Sequence, residues 1–182
     1  AVLHYQVETI HPFLDGNGRT GRILNVLYLM LKGYLDIPIL YPSSYIIEHK
    51  DEYYRLLRGV TGEGERERWI LFMLDAIRDT SVDTIGRVRE IREELDRTVD
   101  EVREALPRIY TKELVETLFV HPYSKIEFLV TALGVERKAA SRYLQALERI
   151  GLLESHKVGR ERIYINVRLM TILSRRWYHY RR

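Results

Sequence analysis

Cysteine is absent from this 182-residue chain, which excludes a disulfide framework and any metal site built on thiolates. Apolar runs of membrane-spanning length are also missing, because no stretch approaches the roughly 18 residues that a transmembrane helix needs. No signal-peptide pattern is visible. With 46% hydrophobic and 30% charged residues, the composition is typical of a globular protein. We therefore expect a cytoplasmic protein that has no membrane partner.

Positive charge is concentrated near the C-terminus. The net charge of the whole chain is only +3, whereas residues 156–182 hold eight Lys or Arg residues and a single acidic residue, Glu161. This segment predicts a partner that bears phosphate. A solvated basic tail explains the same pattern equally well.

The first part of the chain predicts helices around one loop. Apolar residues recur at helical spacing from Val2 onwards, directly after Ala1, so the sequence looks cut from a longer protein and residues 2–10 predict the end of an amphipathic helix. Residues 11–19 are rich in Gly, Pro, Asp and Asn and predict a loop. Residues 20–31 are apolar almost all round, which is typical of a helix buried in a core.

Two more helices are predicted before residue 80. Ser43 or Ser44 can cap a helix that ends in the glycine-rich residues 59–64. A second helix directs apolar side chains inward, namely Trp69, Ile70, Phe72, Met73 and Ile77.

From Val82 to Leu106 the apolar residues are spaced three and four apart, flanked by Arg/Glu pairs. This narrow stripe predicts a long, largely exposed connecting helix that ends near Pro107, with the domain boundary along it. We expect a first domain over residues 1–80, the connecting helix over residues 81–107 and a second domain over residues 108–182.

The second domain is predicted to be a winged helix. A short helix over residues 112–119 comes first, and Ser124 with Glu127 has the spacing of a capping box that opens a second helix to Leu133. A third helix follows the turn at Gly134. Residues 152–157 and 162–166 can then pair as a hairpin, and three helices with a hairpin are the winged-helix pattern. The fold class is therefore mainly α.

The residues that carry chemistry lie in the segment 11–22, HPFLDGNGRTGR. Gly16 and Gly18 let backbone N–H groups surround an anion, and the loop leads into a helix N-terminus, which also favours phosphate. Asp15 is an oxygen ligand of the kind that Mg²⁺ prefers. His11 can accept a proton near neutral pH. Base, metal ligand and phosphate cradle together predict a phosphoryl- or nucleotidyl-transfer site.

Three other interpretations of this segment are weaker. Gly16, Gly18 and Gly21 match a dinucleotide-binding fingerprint, and Asp36 lies at a suitable distance, but a helix rather than a strand precedes the loop. A Walker loop is excluded because no Lys-Ser/Thr pair follows. The third interpretation is a purely structural connection between helices, rich in glycine and with a hydrogen-bonded core histidine. Such a connection would not need the other polar residues of the segment.

The segment resembles the Fic family motif, His-Pro-Phe-x-Asp/Glu-Gly-Asn-Gly-Arg-x-x-Arg, at every specified position. The resemblance implies the C-terminal part of an all-helical Fic fold that transfers AMP from ATP to a protein hydroxyl with Mg²⁺. By position, His11 would be the base, Asp15 the metal ligand and Phe13 an anchor in the core, with Arg22 at the γ-phosphate. The implied ATP-binding residues are Gly16, Asn17, Gly18, Arg19, Thr20, Gly21, Arg22, Tyr53 and Tyr54.

Parts of the family pattern are missing from this sequence. The target-aligning hairpin and the first helices of the family lie upstream of the motif. The inhibitory pattern Ser/Thr-x-x-x-Glu-Gly/Asn has no match, since Glu63-Gly64 has Gly59 in place of the Ser or Thr. The motif alone also allows transfer of phosphate or phosphocholine.

A winged helix could place basic side chains along DNA, with candidates Arg137, Lys138, Arg142, Lys157, Arg160 and Arg162. Glu136 at the start of the third helix disfavours a phosphate there, and such domains also serve as protein contacts or homodimer modules. We expect a protein contact rather than DNA. The alternative function is a DNA-binding regulator with the Fic half as nucleotide sensor, but a sensor does not need the base His11.

Overall fold

The computed structural model describes residues 1–62, 64–159 and 161–175. The chain is mainly α-helical with one small antiparallel sheet, as the sequence predicts. It divides into two compact units, Ala1–Gly86 and Arg87–Arg182. No helix in the described ranges is both long and apolar enough to cross a membrane.

The first unit contains helices α1 (Val2–Ile10), α2 (Asn17–Leu31), α3 (Ser43–Glu48) and α4 (Lys50–Gly62), followed by the first part of α5 (Arg66–Ala105). The sequence predicts α2 from residue 20, but the helix begins at Asn17. Gly16 precedes it in the left-handed region, with φ 83°, a conformation that glycine adopts without strain and that lets the loop turn directly into the helix.

The prediction that α2 is buried all round is wrong. Only Asn17 and Gly21 are buried in this helix, and large apolar side chains are exposed, namely Ile23, Leu27, Tyr28 and Leu31. The physical reason is that α2 packs mainly against α1 in the described residues, so its outer face is uncovered.

The single helix predicted after Ser43 is two helices, because the chain breaks at His49 between α3 and α4. Neither serine side chain caps α3. Pro42 holds the N-cap position, and the Ser44 hydroxyl donates to the carbonyl oxygen of Tyr41 at 2.8 Å. A proline with its fixed φ supplies the helix start that was assigned to a serine cap.

The core of the first unit joins α3, α4 and α5 through buried residues, namely Ile46, Tyr53, Leu56, Val60, Trp69, Phe72 and Met73. Trp69 is also hydrogen-bonded, since its ring N–H donates to the carbonyl oxygen of Ala1 at 3.2 Å. The inward face predicted for this part of α5 is therefore confirmed for Trp69, Phe72 and Met73. Ile70, by contrast, is 36% exposed.

Helix α5 is one continuous helix of 40 residues where the sequence predicts two, and it ends at Ala105, just before Pro107. Its second part belongs to the second unit. Val102 is fully buried there, with Leu95 and Val99 packed against the same core. The expectation of a largely exposed connecting helix is therefore wrong for this part, because its apolar stripe is covered by the second unit.

The second unit continues with α6 (Lys112–Val120), β1 (Tyr123–Ser124), α7 (Ile126–Leu133), α8 (Arg137–Arg149), β2 (Leu153–Val158), β3 (Glu161–Asn166) and α9 (Val167–Ser174). The strands form an antiparallel sheet in the order β1-β3-β2. The predicted three helices and hairpin are present. Ser124 lies in β1 and does not cap α7, whose N-cap is Lys125, so the capping box is wrong. Strand β1 and helix α9 were not predicted.

Helix α9 is held in place by its N-cap residue, Asn166, and by Arg168 in its first turn. The Asn166 side chain accepts from the backbone N–H of Leu169 at 3.1 Å and donates to the carbonyl oxygen of Leu118 at 3.3 Å. Arg168 then forms a forked pair with Glu101 and a further contact with Glu94, both on α5. The polar residues at the start of α9 thus tie it to the helices beneath.

Candidate active site

The loop between α1 and α2 begins at His11, which caps the C-terminus of α1 in the left-handed conformation with φ 51°. It is the one non-glycine residue with positive φ in the described part of the chain. Its backbone N–H donates to the carbonyl oxygen of Val7 at 3.0 Å, and its ring Nδ1 lies 3.3 Å from the carbonyl oxygen of Glu8. A carbonyl can only accept, so this contact places the proton on Nδ1 and leaves Nε2 exposed as the proton acceptor.

Asn17 closes the loop from the inside. Its side chain is buried, accepts from the backbone N–H of Phe13 at 2.9 Å and donates to the carbonyl oxygen of Phe13 at 2.6 Å. The amide group is therefore occupied by the loop backbone. The Phe13 side chain, predicted to be a core anchor, is 50% exposed, so it is the backbone of this residue that is anchored.

Asp15 presents its carboxylate to solvent. One oxygen accepts from the backbone N–H of Gly16 at 2.7 Å, and the other lies 3.5 Å from the Arg19 guanidinium. No group of three or more His, Cys, Asp or Glu residues that could hold a metal ion occurs among the described residues. A cation here would therefore depend on one carboxylate together with phosphate oxygens and water, a donor set that suits Mg²⁺.

The start of α2 supplies the remaining polar groups. A helix N-terminus leaves its first N–H groups without intrahelical partners and carries partial positive charge. Arg19 is exposed beside Asp15, Thr20 is half-buried with its N–H on the carbonyl oxygen of Gly16, and Arg22 is half-buried one turn further on. Phosphate oxygens are the ligands that this combination favours.

Glycines in α2 allow it to approach α1 closely. A Cβ on Gly21 would lie 2.8 Å from Oε1 of Glu8 and 2.9 Å from Nδ1 of His4, which is closer than atoms tolerate. A Cβ on Gly18 would meet the Arg22 guanidinium at 3.2 Å. Gly21 is therefore a packing residue between the helices, and we find no open space for a ligand beside its Cα.

A buried polar cluster lies beneath the loop. The ring of His4 is fully buried, with Nε2 2.8 Å from the Tyr53 hydroxyl and Nδ1 3.1 Å from the Asn25 amide. Burial lowers the pKa of His4 to about 4 and raises that of Tyr53, so both are neutral at neutral pH. Burial also raises the pKa of the Glu8 carboxyl, against the charge of Arg22.

The two candidate tyrosines of α4 have different environments. Tyr53 is 3% exposed, bonded to His4 and packed against Trp69, so its side chain belongs to the core. Tyr54 is 49% exposed. Of the pair, only Tyr54 has a ring surface that a nucleotide could reach in this conformation.

Basic residues of the second unit are spread over helix α8 and the two strands of the hairpin, β2 and β3. Arg137, at the start of α8, pairs with Glu127 of α7, whereas Lys138 and Arg142 are exposed on α8. Lys157 of β2 stands directly opposite Arg162 of β3, both exposed. Arg160 lies outside the described residues.

The basic C-terminal segment is partly consumed by internal ion pairs. Arg168 pairs with Glu94 and Glu101, and Arg175 pairs with Glu90 at 3.0 Å. Arg176, Arg181 and Arg182 lie outside the described residues. The segment therefore offers less charge to a partner than its composition suggests.

Sequence reasoning missed the cluster of His4 and Glu8. Both lie on α1 one turn apart, and their signal is two ionisable residues at i and i+4 on a helix that leads directly into the motif. The apolar residues at helical spacing in residues 2–10 indicate only an amphipathic helix and give no separate signal for this polar pair.

Comparisons with known proteins agree with this architecture. Residues 1–29 match the Fic/DOC family, and residues 95–169 match the family described as the C-terminal domain of SoFic-like protein adenylyltransferase. Proteins called "Protein adenylyltransferase Fic" from Drosophila grimshawi, Drosophila yakuba and Drosophila erecta are 36% identical over 80 residues, which cover 44% of this chain. The match spans 15% of the length of each of these relatives. The chain is therefore similar to Fic/DOC proteins over residues 1–29 and to the SoFic-like C-terminal domain over residues 95–169.

Proposed function

We propose that the protein transfers AMP from ATP to the hydroxyl group of a Ser, Thr or Tyr residue on a target protein. The observation that carries the proposal is the segment 11–22, which combines an exposed proton acceptor, an exposed carboxylate and a helix N-terminus. The printed names of the relatives support AMP transfer over transfer of phosphate or phosphocholine. Because the match spans 15% of their length, the activity is proposed for the protein that carries this segment.

His11 would remove the proton from the target hydroxyl. The contact of Nδ1 with the Glu8 carbonyl leaves Nε2 free to accept that proton. The hydroxyl oxygen then forms a bond to the α-phosphorus of ATP while the bond to the β-phosphate oxygen breaks. The products are the AMP ester of the target and pyrophosphate, with the proton on His11.

The phosphates would lie on the N-terminus of α2, where free N–H groups and Arg22 offset their charge. Mg²⁺ bound to Asp15 would neutralise charge on the phosphate oxygens during transfer. The exposed ring of Tyr54 would line the nucleotide site. Absence of cysteine supports a reducing compartment, so we propose the cytoplasm.

The test of the base is a labelled-ATP transfer assay on the full-length protein with its target. His11→Ala should abolish transfer and leave ATP affinity within about threefold, because the base acts on the hydroxyl and not on the nucleotide. His156→Ala, an exposed histidine of β2, is the matched control. Undiminished labelling by His11→Ala would refute the assignment.

The test of the metal ligand is calorimetry of ATP binding with and without Mg²⁺. Asp15→Ala should remove the Mg²⁺ dependence of binding, since Asp15 is the carboxylate at the phosphate loop. Asp36→Ala is the matched control, being exposed and outside the loop. The same control tests the dinucleotide interpretation, which requires Asp36 and predicts that its loss weakens binding.

Duplex DNA is the second candidate ligand, for the second unit. Lys157 and Arg162 are like charges directly opposite each other across β2 and β3, an arrangement that destabilises a hairpin unless an anion offsets it. We nevertheless propose protein contact, including a homodimer, as the main role of this unit. Fluorescence anisotropy with random duplexes decides: steeply salt-dependent binding that Lys157→Ala weakens would favour DNA.

A further inference from the structure

One carboxylate oxygen beneath the proposed active site is buried without a hydrogen-bond partner in the described part of the chain. Oε1 of Glu8 is buried, and the whole Glu8 side chain is 11% exposed. Buried carboxylates are costly unless their oxygens are satisfied, so an unsatisfied one calls for an explanation. The mechanism above uses only the carbonyl oxygen of Glu8, not its side chain.

The adjacent histidine does not neutralise this charge. Nε2 of His4 lies 3.9 Å from Oε1 of Glu8, a distance that would suit an ion pair. However, the pKa of His4 is lowered to about 4, and its Nε2 contacts the Tyr53 hydroxyl at 2.8 Å. At neutral pH the ring is uncharged, so the contact is a polar neighbour and not a counter-ion.

The positive charge that faces Glu8 is Arg22. Both side chains border the same point, the position of a Cβ on Gly18, which is 3.2 Å from Nη1 of Arg22 and 3.7 Å from Oε1 of Glu8. Gly18 thus leaves open the space that lets the carboxylate and the guanidinium face each other. The Glu8 carboxylate and the Arg22 guanidinium therefore both approach the open space beside Gly18, and the Glu8 side chain has little access to water.

We propose that Glu8 is a positioning residue that holds the guanidinium of Arg22 at the phosphate loop. The negative charge of Glu8 attracts the Arg22 guanidinium from the buried side of the loop, and Glu8 itself does not touch substrate. The role rests on the proposed function, because Arg22 is taken to meet the phosphate chain of ATP. Restraint of a long, flexible arginine before ATP arrives lowers the entropy that must be lost in the transition state.

Stability and catalysis should respond to Glu8 in opposite directions. A buried, unsatisfied carboxylate destabilises the fold, whereas a residue that only packs stabilises it. The isosteric Glu8→Gln substitution removes the charge and keeps the shape. We therefore expect this variant to melt about 2–4 °C higher than the parent. A purely structural Glu8 would give a lower melting temperature.

The kinetic test separates binding from turnover in the full-length protein. Glu8→Gln should lower kcat about tenfold, and the KM for ATP should change less than about threefold or fall, because a negative charge near the phosphates is also removed. In an Arg22→Gln background the same substitution should change kcat less than about twofold, since its target is gone. An equal loss of kcat in both backgrounds would overturn the proposal.

A measurement without catalysis distinguishes failure of this inference from failure of the proposed function. In arginine-labelled protein, NMR relaxation of the Arg22 Nε–H should report greater side-chain mobility in Glu8→Gln. Arg19, which is exposed and paired with Asp15, is the control and should not change. Increased Arg22 mobility without AMP transfer by the parent would uphold the positioning role and refute only the activity. Unchanged Arg22 mobility would refute the positioning role.

Discussion

Replacing Asn17 by alanine tests whether its side chain braces the loop or binds phosphate. The side chain is 3% exposed and makes two hydrogen bonds to the backbone of Phe13, at 2.9 and 2.6 Å. Each such bond contributes about 1 kcal/mol, and a backbone group left without its partner costs somewhat more. We therefore expect Asn17→Ala to lower the free energy of unfolding of the first unit by about 2 kcal/mol, a large share of a typical 5–15 kcal/mol.

Urea unfolding followed by Trp69 fluorescence measures this change in the first unit. The chain has two tryptophans, so a Trp177→Phe background leaves Trp69 as the single reporter. Asn166→Ala, which removes two comparable bonds from a side chain to the backbone in the second unit, is the control and should not move the Trp69 transition. Asn17→Asp keeps the acceptor but loses the donor, and should be about as damaging. An unchanged unfolding midpoint with weakened ATP binding would show that Asn17 contacts phosphate directly.

Three further predictions concern Gly21, His4 and Arg168. Gly21→Ala should destabilise the first unit by about 1–3 kcal/mol in the same urea assay, because its Cβ would overlap Glu8 and His4. Gly62→Ala is the control, since no atom lies within 4 Å of the added Cβ, and it should change stability by less than about 0.5 kcal/mol. His4 binds its proton more weakly in the folded state, where its pKa is about 4, than in the unfolded state. Stability should therefore be greatest above pH 6.5 and fall by up to about 3 kcal/mol between pH 6.5 and pH 4. His4→Gln should remove this loss, and an unaltered pH profile in the variant would contradict the buried neutral ring. Arg168→Gln should destabilise the second unit by about 1–2 kcal/mol, because Glu101 loses its partner and Glu94 keeps only its pair with Arg97. Circular dichroism should show this loss against an Arg162→Gln control that stays near the parent.

Local features were predictable from the sequence wherever one segment determines them. The glycine-rich loop, the turn at Gly134 and the hairpin of β2 and β3 each depend on residues that are neighbours in the chain. The chemistry of loop 11–22 was readable for the same reason, because base, carboxylate and helix N-terminus fall within one short stretch. The assigned roles of these site residues remain predictions.

Features that depend on distant residues were not predictable. The exposure of Phe13 and of the outer face of α2 depends on which elements cover them, and hydrophobic periodicity does not contain that information. The joining of two expected helices into α5 was hidden because no strong end signal separates them. The bond between the Tyr53 hydroxyl and His4 joins residues 49 positions apart, and no local pattern in the sequence indicates it.

The left-handed backbone at His11 has a practical consequence for finding the target protein. A φ of 51° is strained for any residue with a Cβ and least so for glycine. Alanine at this position keeps the strain while removing the base, whereas His11→Gly removes the base and relaxes the turn. The glycine variant should therefore be an inactive protein at least as stable as the alanine variant. Loaded with ATP, it could retain an unmodified target long enough for cross-linking and identification by mass spectrometry.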